Sequence, residues 1–285
     1  MTMAGYMDNA DPVNGVEHYE NFPVASVLCP PALRPPIVAI YHFARTADDI
    51  ADEGDASAAA RIIALAEFRL ALQRLYDDNT VSPRWPAVFG PLRTAVHRHA
   101  LPQTLLADLL DAFAQDVRNP AYPDREALLD YCRRSANPVG RLLLHLYGVK
   151  DADALRQSDA ICSALQLINF WQDLSVDLPR GRCYVPATDC AAHGLAQLVA
   201  GQDTDQSRAL VRALCAWAGA LMREGAPLVH RLPGRAGWEL RLVVQGGLRI
   251  LETIAAMDHA TLSRRPTLGK RDLPRMLWRA LWMRA

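Results

Sequence analysis

The sequence predicts an all-α fold, a single-domain helical bundle. Three observations predict it. Apolar residues recur three and four apart over stretch after stretch. The breaks between stretches are short and rich in Gly, Pro and Asn. No run alternates apolar and polar residues as a half-buried strand does, apart from a short extended piece at Cys183-Tyr184-Val185. No fixed-period repeat or low-complexity linker divides the 285 residues, which favours one domain with a large core.

Taken in order, residues 1–15 are expected to be frayed, and structure to begin near Val16. Pro30, Pro31, Pro35 and Pro36 punctuate two early helices. Ile37 to Glu53 reads as helix, with Gly54 as its stop. Ala58 to Tyr76 follows, closed by Asp77-Asp78-Asn79 and Pro83. Further helices are predicted over 87–100, 103–116, 125–147, 151–177, 207–230, 237–260 and 272–284. Between them lie Arg118-Asn119-Pro120, Gly148, Leu178-Pro179-Arg180-Gly181 and Leu232-Pro233-Gly234. The expected organisation is a helical domain over 16–262 and a basic amphipathic helix over 263–285.

Composition excludes several classes. Lys and Arg number 31, as do Asp and Glu, so the basic excess of a nucleic-acid binder is missing. The six cysteines form no CxxC pair and read as reduced thiols, with neither a disulfide framework nor a zinc site. The opening MTMAGYMDNADPVNG lacks the apolar core of a signal peptide, and no run approaches the length of a membrane span. A cytoplasmic protein is expected, with peripheral attachment to the inner face of the membrane left open.

Chemistry concentrates in two stripes. In IYHFARTADDIADE, Ile40 to Glu53, the residues Tyr41, Arg45, Asp48 and Asp52 fall three and four apart. A helix stacks them on one face, flanked by Asp49. Carboxylates one turn apart repel each other unless a cation lies between them. Hard oxygen ligands suit Mg²⁺, with water and substrate phosphate completing its shell. The alternative is a solvated acidic helix end. In ICSALQLINFWQDLSVDLPRG, Gln166, Asn169, Asp173 and Asp177 form a second stripe. The rest of that helix carries Ile161, Leu165, Leu167, Ile168, Phe170 and Trp171, so the stripe is costly unless paired or metal-bound. A capping and surface stripe near Pro179 is the alternative there. Two such stripes in one all-helical chain favour a shared metal site.

Other features carry less. His97 and His99 are two apart and point away from each other on a helix, and His145, His193, His230 and His259 stand alone. Gly246-Gly247 permits either close helix packing or open space beside a cavity. No GxGxxG after a strand and no P-loop is present.

From about Glu17 to Glu252 these motifs resemble the squalene/phytoene synthase family, head-to-head prenyl transferases of the isoprenoid synthase fold. The resemblance implies that Asp48, Asp49 and Asp52, with Asn169, Asp173 and Asp177, carry Mg²⁺ ions that grip the substrate diphosphate. Asp48, Asp52, Asp173, Asp177 and Tyr41 are then the catalytic residues. Substrate contacts are implied for His18, Asn21 and Phe22 in HYENF, for Tyr41 and Arg45, and for Tyr131 with Asn137-Pro138-Val139-Gly140. They are implied also for Gln166 and Asn169, and for Arg182 and Tyr184 in the following loop. Two departures stand out. Gln172 replaces an Arg common in the family, and Gly247 lies where many members carry a Tyr. One basic and one aromatic side chain are therefore missing from the expected cavity.

The runs HYENFPVAS, LRPPIVAIYHFARTADDIADEGD and GGLRILE are similar to the bacterial hydroxysqualene synthase branch of that family. That likeness implies ionisation of presqualene diphosphate, rearrangement, and water capture to hydroxysqualene, within squalene and hopanoid biosynthesis. It implies no nicotinamide cofactor, and handover of substrate from other squalene-pathway enzymes. Phe22, Tyr41, Phe170 and Trp171 are expected to face the cation, each contact worth about 0.5–2 kcal/mol. Core packing is the other reading for Phe170 and Trp171. The residue that positions the attacking water is left open among Tyr41, Asn21 and Asn137. Two alternatives are a condensing enzyme making presqualene diphosphate, squalene or phytoene from two prenyl diphosphates, and a non-catalytic assembly factor of the same fold. From Arg264 onward seven basic residues face one acid, Asp272. That tail is either an interfacial membrane helix or a helix docked on the body with its arginines in solvent.

Overall fold

The first helix in the computed structural model, which describes residues 29–283, is α1 (Arg34–Asp52). It opens on Pro35-Pro36, where a missing N–H leaves no intrahelical bond unmade. Ala39, Ile40, Phe43, Ala47 and Ala51 are buried at spacings of one to four, leaving the Arg45–Asp48–Asp52 row on another face. The sequence expectations for residues 1–15 and for His18, Asn21 and Phe22 lie outside the described residues.

Three helices close over this face. In α2 (Ala58–Asp78) the Ser57 hydroxyl accepts from the Ala60 N–H at 3.3 Å, and Asn79 ends the helix in the left-handed region. Then come α3 (Pro86–His99) and α4 (Gln103–Arg118), the latter ended by left-handed Asn119. Their first core is aromatic. The rings of Phe43 and Phe68 are 5.1 Å apart and those of Phe68 and Phe89 4.9 Å, all three fully buried. Each such side chain contributes about 1.5–3 kcal/mol by leaving water.

The second core gathers the remaining long helices. The helix predicted over 125–147 is two, α5 (Arg125–Ser135) and α6 (Asn137–Leu146), because Pro138 disfavours helical backbone before it and donates no hydrogen bond. The central helix α7 (Ala152–Gln172), N-capped by Asp151, buries Ala160, Ile161, Ala164, Leu167, Ile168, Phe170 and Trp171. The predicted continuation to 177 is also broken. Asp173 leaves helical backbone at φ −100°, ψ 9°, and the single turn α8 (Leu174–Asp177) follows. Asp177 therefore does not continue a straight stripe from Asn169 and Asp173.

Beyond a loop and the short α9 (Ala187–Ala192), α10 (Asp205–Gly225) packs along α7 and gives way to a 3₁₀ turn over Ala226–His230. Two glycines let these helices meet. A Cβ on Gly225 would lie 2.5 Å from the Gln157 carbonyl oxygen. One on Gly247, in α11 (Gly234–Ala256), would lie 2.8 Å from the Met222 methyl and 3.1 Å from Leu165. Of the two readings open for Gly247, these contacts favour close packing. Last is α12 (Leu273–Leu281), lying on α11.

Among the described residues no strand forms, so Cys183-Tyr184-Val185 is plain loop. All six cysteines are free, and no described helix is long and apolar enough to cross a membrane.

Candidate active site

The C-terminal turns of α1 set out the first acidic group. Arg45 holds it together, reaching Asp49 at 2.8 Å, Glu53 at 2.7 Å and, more loosely, Asp48 at 3.4 Å. Partial burial, and then the neighbouring charges of Asp52 and Asp49, push the Asp48 carboxyl up to about 6 although Arg45 draws it down. Asp52 is ion-paired instead to Arg182, which reaches it from the loop after α8. A cleft of about 420 Å³ opens there, lined by Asp52, Glu53, Arg180 and Arg182.

The second acidic group sits where α7 breaks. Asn169 donates from Nδ2 to Asp173 at 3.0 Å, while Arg265 donates from Nη2 to the same carboxylate oxygen at 3.3 Å and from Nε to the other. Asp177 is pushed up to about 6, chiefly by burial and next by the charge of Asp173, with Arg182 and Arg180 opposing. The Arg182 guanidinium lies within electrostatic reach of Asp48, Asp52, Asp116 and Asp177. Carboxylates from α1, α4 and α8 thus lie around one cation, Asp52 in direct ion pair with it.

Asp116, near the end of α4, went unseen in the sequence. It accepts from the Tyr131 hydroxyl at 2.8 Å and is pushed up to about 7, with burial the largest cause. The signal existed: Asp116 continues the three-and-four row of Leu109 and Ala112, both buried, so an acid stands on an apolar row. Tyr131 opens an aromatic wall. Tyr184 stacks on Phe170 with centroids 3.8 Å apart, Tyr131 lies 6.0 Å from Tyr184, and Tyr122, also unforeseen, lies 5.7 Å from Tyr131. Trp171 takes the core reading, fully buried with its ring 6.4 Å from Trp217.

Other sequence candidates are placed less centrally. Tyr41 is half-buried on α1, its ring 5.6 Å from His42, and Gln166 is half-buried on α7. Asn137 is buried, and its side-chain oxygen accepts from Ser163 at 2.9 Å, tying α6 to α7. Gln172 is buried too, donating to the Pro266 carbonyl at 2.7 Å. This anchors the segment that delivers Arg265, so the basic side chain expected to be missing at the second motif is supplied from 92 residues away.

Among the described residues no three His, Cys, Asp or Glu side chains are gathered closely enough to hold a metal ion as they stand. Arginines engage these oxygens: Arg45 and Arg182 at the first motif, Arg265 at the second.

A family profile described as squalene/phytoene synthase matches residues 16–272. The chain is 40% identical over 188 residues to a hydroxysqualene synthase of Zymomonas mobilis, covering 64% of this chain and 60% of that protein. It is 34% identical over 243 residues to a hydroxysqualene synthase of Sinorhizobium fredii, covering 84% and 80%. The solved structure of squalene synthase HpnC from Alicyclobacillus acidocaldarius superposes with a TM-score of 0.76 at 36% identity, over 85% of this chain and 90% of that one. That superposition fits a helical bundle with its acidic motifs on α1 and at the end of α7.

Proposed function

We propose that this chain, which belongs to the squalene/phytoene synthase family, ionises presqualene diphosphate and captures the rearranged cation with water, giving hydroxysqualene and diphosphate. One observation carries the chemistry. Arg182 joins the two motifs, its guanidinium pairing with Asp52 and its backbone N–H donating to the Asp177 carbonyl, and Tyr184 two residues on packs with Phe170 and Tyr131 in an aromatic wall. The likeness to hydroxysqualene synthases over most of the chain favours the water-capturing reaction over condensation.

The donor set fits magnesium in its chemistry, with carboxylate and amide oxygens from Asp48, Asp49, Asp52, Asn169, Asp173 and Asp177. Asp48 and Asp177 are both pushed up to about 6, chiefly by burial and further by neighbouring carboxylates, and a bound cation would stabilise their charged forms. Magnesium, when bound, supplies charge to neutralise the departing diphosphate. Arg45, Arg182 and Arg265 offer fixed guanidinium donors to the same oxygens. Each now rests on a carboxylate and is poised to exchange it for phosphate. The wall of Phe170, Tyr184 and Tyr131 gives the cyclopropylcarbinyl cation ring faces and few nucleophiles. Water adds to the rearranged cation, and the proton released leaves with diphosphate or solvent. Peripheral association with a membrane, and handover from the enzyme that forms the substrate, belong to the same proposal because the substrate is largely hydrocarbon.

The test is incubation of purified protein with Mg²⁺ and, separately, presqualene diphosphate and farnesyl diphosphate, with mass analysis of the organic extract. A hydroxylated thirty-carbon alcohol from presqualene diphosphate alone is expected. Conversion of farnesyl diphosphate would place the chain among condensing enzymes, and silence with both would favour the assembly-factor reading.

A further inference from the structure

The helix α12 is mounted with its apolar side outward. Met276 and Ala280 face α11, and the polar anchors point the same way: Arg279 and Arg275 pair with Glu252, and Arg249 with Asp272 at 2.7 Å. The opposite half carries Leu273, Leu277 and Leu281 in one row and Trp278 and Trp282 in the next, each between 45% and 62% exposed. A terminal helix merely docked on the body buries such residues and leaves its arginines in water. Here the arrangement is reversed.

The patch extends beyond the helix. Arg241 lies over the Trp238 ring and donates to the carbonyls of Ala280 and Met283, which brings exposed Trp238 to the end of α12. Arg264, Lys270 and Arg271 flank the other end, exposed and without an ion pair among the described residues. Leu and Trp side chains bordered by unpaired cations complement a lipid surface carrying negative charge. A second protein surface would need an acidic apolar groove to match.

We infer that α12, with Trp238 and the basic run Lys270-Arg271, is a docking surface for an anionic phospholipid bilayer. The strap before it, pinned by Gln172 to the Pro266 carbonyl and by Arg265 to Asp173, ties the docked helix to the second acidic motif. The bilayer that dissolves the substrate thereby stands beside the site. This last step rests on the function proposed above; the docking itself does not.

The experiment is co-sedimentation of the full chain with vesicles of mixed phosphatidylglycerol and phosphatidylcholine, beside vesicles of phosphatidylcholine alone. The parent is expected to partition onto the anionic vesicles. Trp278→Ser with Trp282→Ser, and separately Lys270→Glu with Arg271→Glu, should each lower partition by about tenfold or more, the second pair only at low salt. Activity of the tryptophan variant on detergent-dispersed substrate should match the parent while falling on vesicle-borne substrate. Three results would overturn the proposal: no partition by the parent, or self-association that the tryptophan variant abolishes, which gives the face to a second copy. The third is shielding of Trp278 and Trp282 from acrylamide in the lipid-free monomer, which gives it to residues 1–28. Partition without turnover on any substrate would reject the proposed function and leave the docking surface standing.

Discussion

Arg265 closes on Asp173 across 92 residues of chain, placing a guanidinium on the second acidic motif from a segment the motif itself does not contain. Charge-assisted pairs of this kind contribute about 1.5–3 kcal/mol. Arg265→Ala is therefore expected to lower kcat/KM for presqualene diphosphate by about 10- to 100-fold. Arg265→Lys should recover part of the loss, since a point charge replaces a fork. Steady-state kinetics at saturating Mg²⁺ checks this, and parental values in Arg265→Ala would remove the residue from the site.

Asp48 and Asp173 belong to different motifs yet serve one leaving group in the proposed reaction. Asp48→Ala and Asp173→Ala should each reduce kcat by about a thousandfold or more, in the range seen when a principal electrostatic contact to a transition state is lost. The helical circular dichroism should stay parental, because neither side chain supports a core. Chelation of the wild-type chain should abolish turnover and added Mg²⁺ restore it. A chelated enzyme that keeps turning over would leave the acidic groups without their proposed task.

Much of this was legible in the sequence because helical spacing is a local property. The Arg45–Asp48–Asp52 row and the polar edge of α7 follow from three-and-four periodicity, and both lie where that periodicity puts them. The misses are of two kinds. Asp173 and Pro138 each end a helix inside what reads as one apolar period, because backbone geometry at one residue is invisible to periodicity averaged over many. Arg265 and Tyr122 reach the site by tertiary contact alone. An arginine in a basic tail looks solvated until its partner on α7 is seen. Asp116 is intermediate, since its place on an apolar row was readable but its partner Tyr131 was not.

Gly225 and Gly90 offer a paired test of packing. A methyl at Gly225 would meet the Gln157 carbonyl oxygen at 2.5 Å and the Ile161 nitrogen at 2.9 Å, both rigid backbone of α7. Gly225→Ala should destabilise by about 1–3 kcal/mol, as overpacking does. At Gly90, inside α3, a methyl meets nothing within 4 Å. Gly90→Ala should stay within about 1 kcal/mol of the parent, because the gain in helix propensity is opposed by crowding of the new methyl against Pro91. Urea unfolding of the two variants separates these magnitudes, and equal shifts would mean that α10 does not approach α7 as described.

Asp116 makes folding stability depend on pH in a direction opposite to that of a salt-bridged acid. Its folded carboxyl is pushed up to about 7 from an ordinary value of 3.8, burial outweighing the Tyr131 hydrogen bond. Between those values the folded chain holds a proton that the unfolded chain has released. Its contribution is thus fully present below pH 3.8 and is lost as pH rises through about 7. Asp48 and Asp177 act in the same sense up to about 6. Asp116→Asn keeps an acceptor for the Tyr131 hydroxyl and removes the ionisation. In metal-free buffer it should match the parent at about pH 3.5, where both folded and unfolded chains hold the proton. Near pH 8 it should be more stable by on the order of 2 kcal/mol, discounted for solvent access. Urea midpoints at the two pH values decide it. A parent-to-variant difference that stays constant with pH would mean that Asp116 ionises as an ordinary carboxylate and that Tyr131, not burial, sets its state.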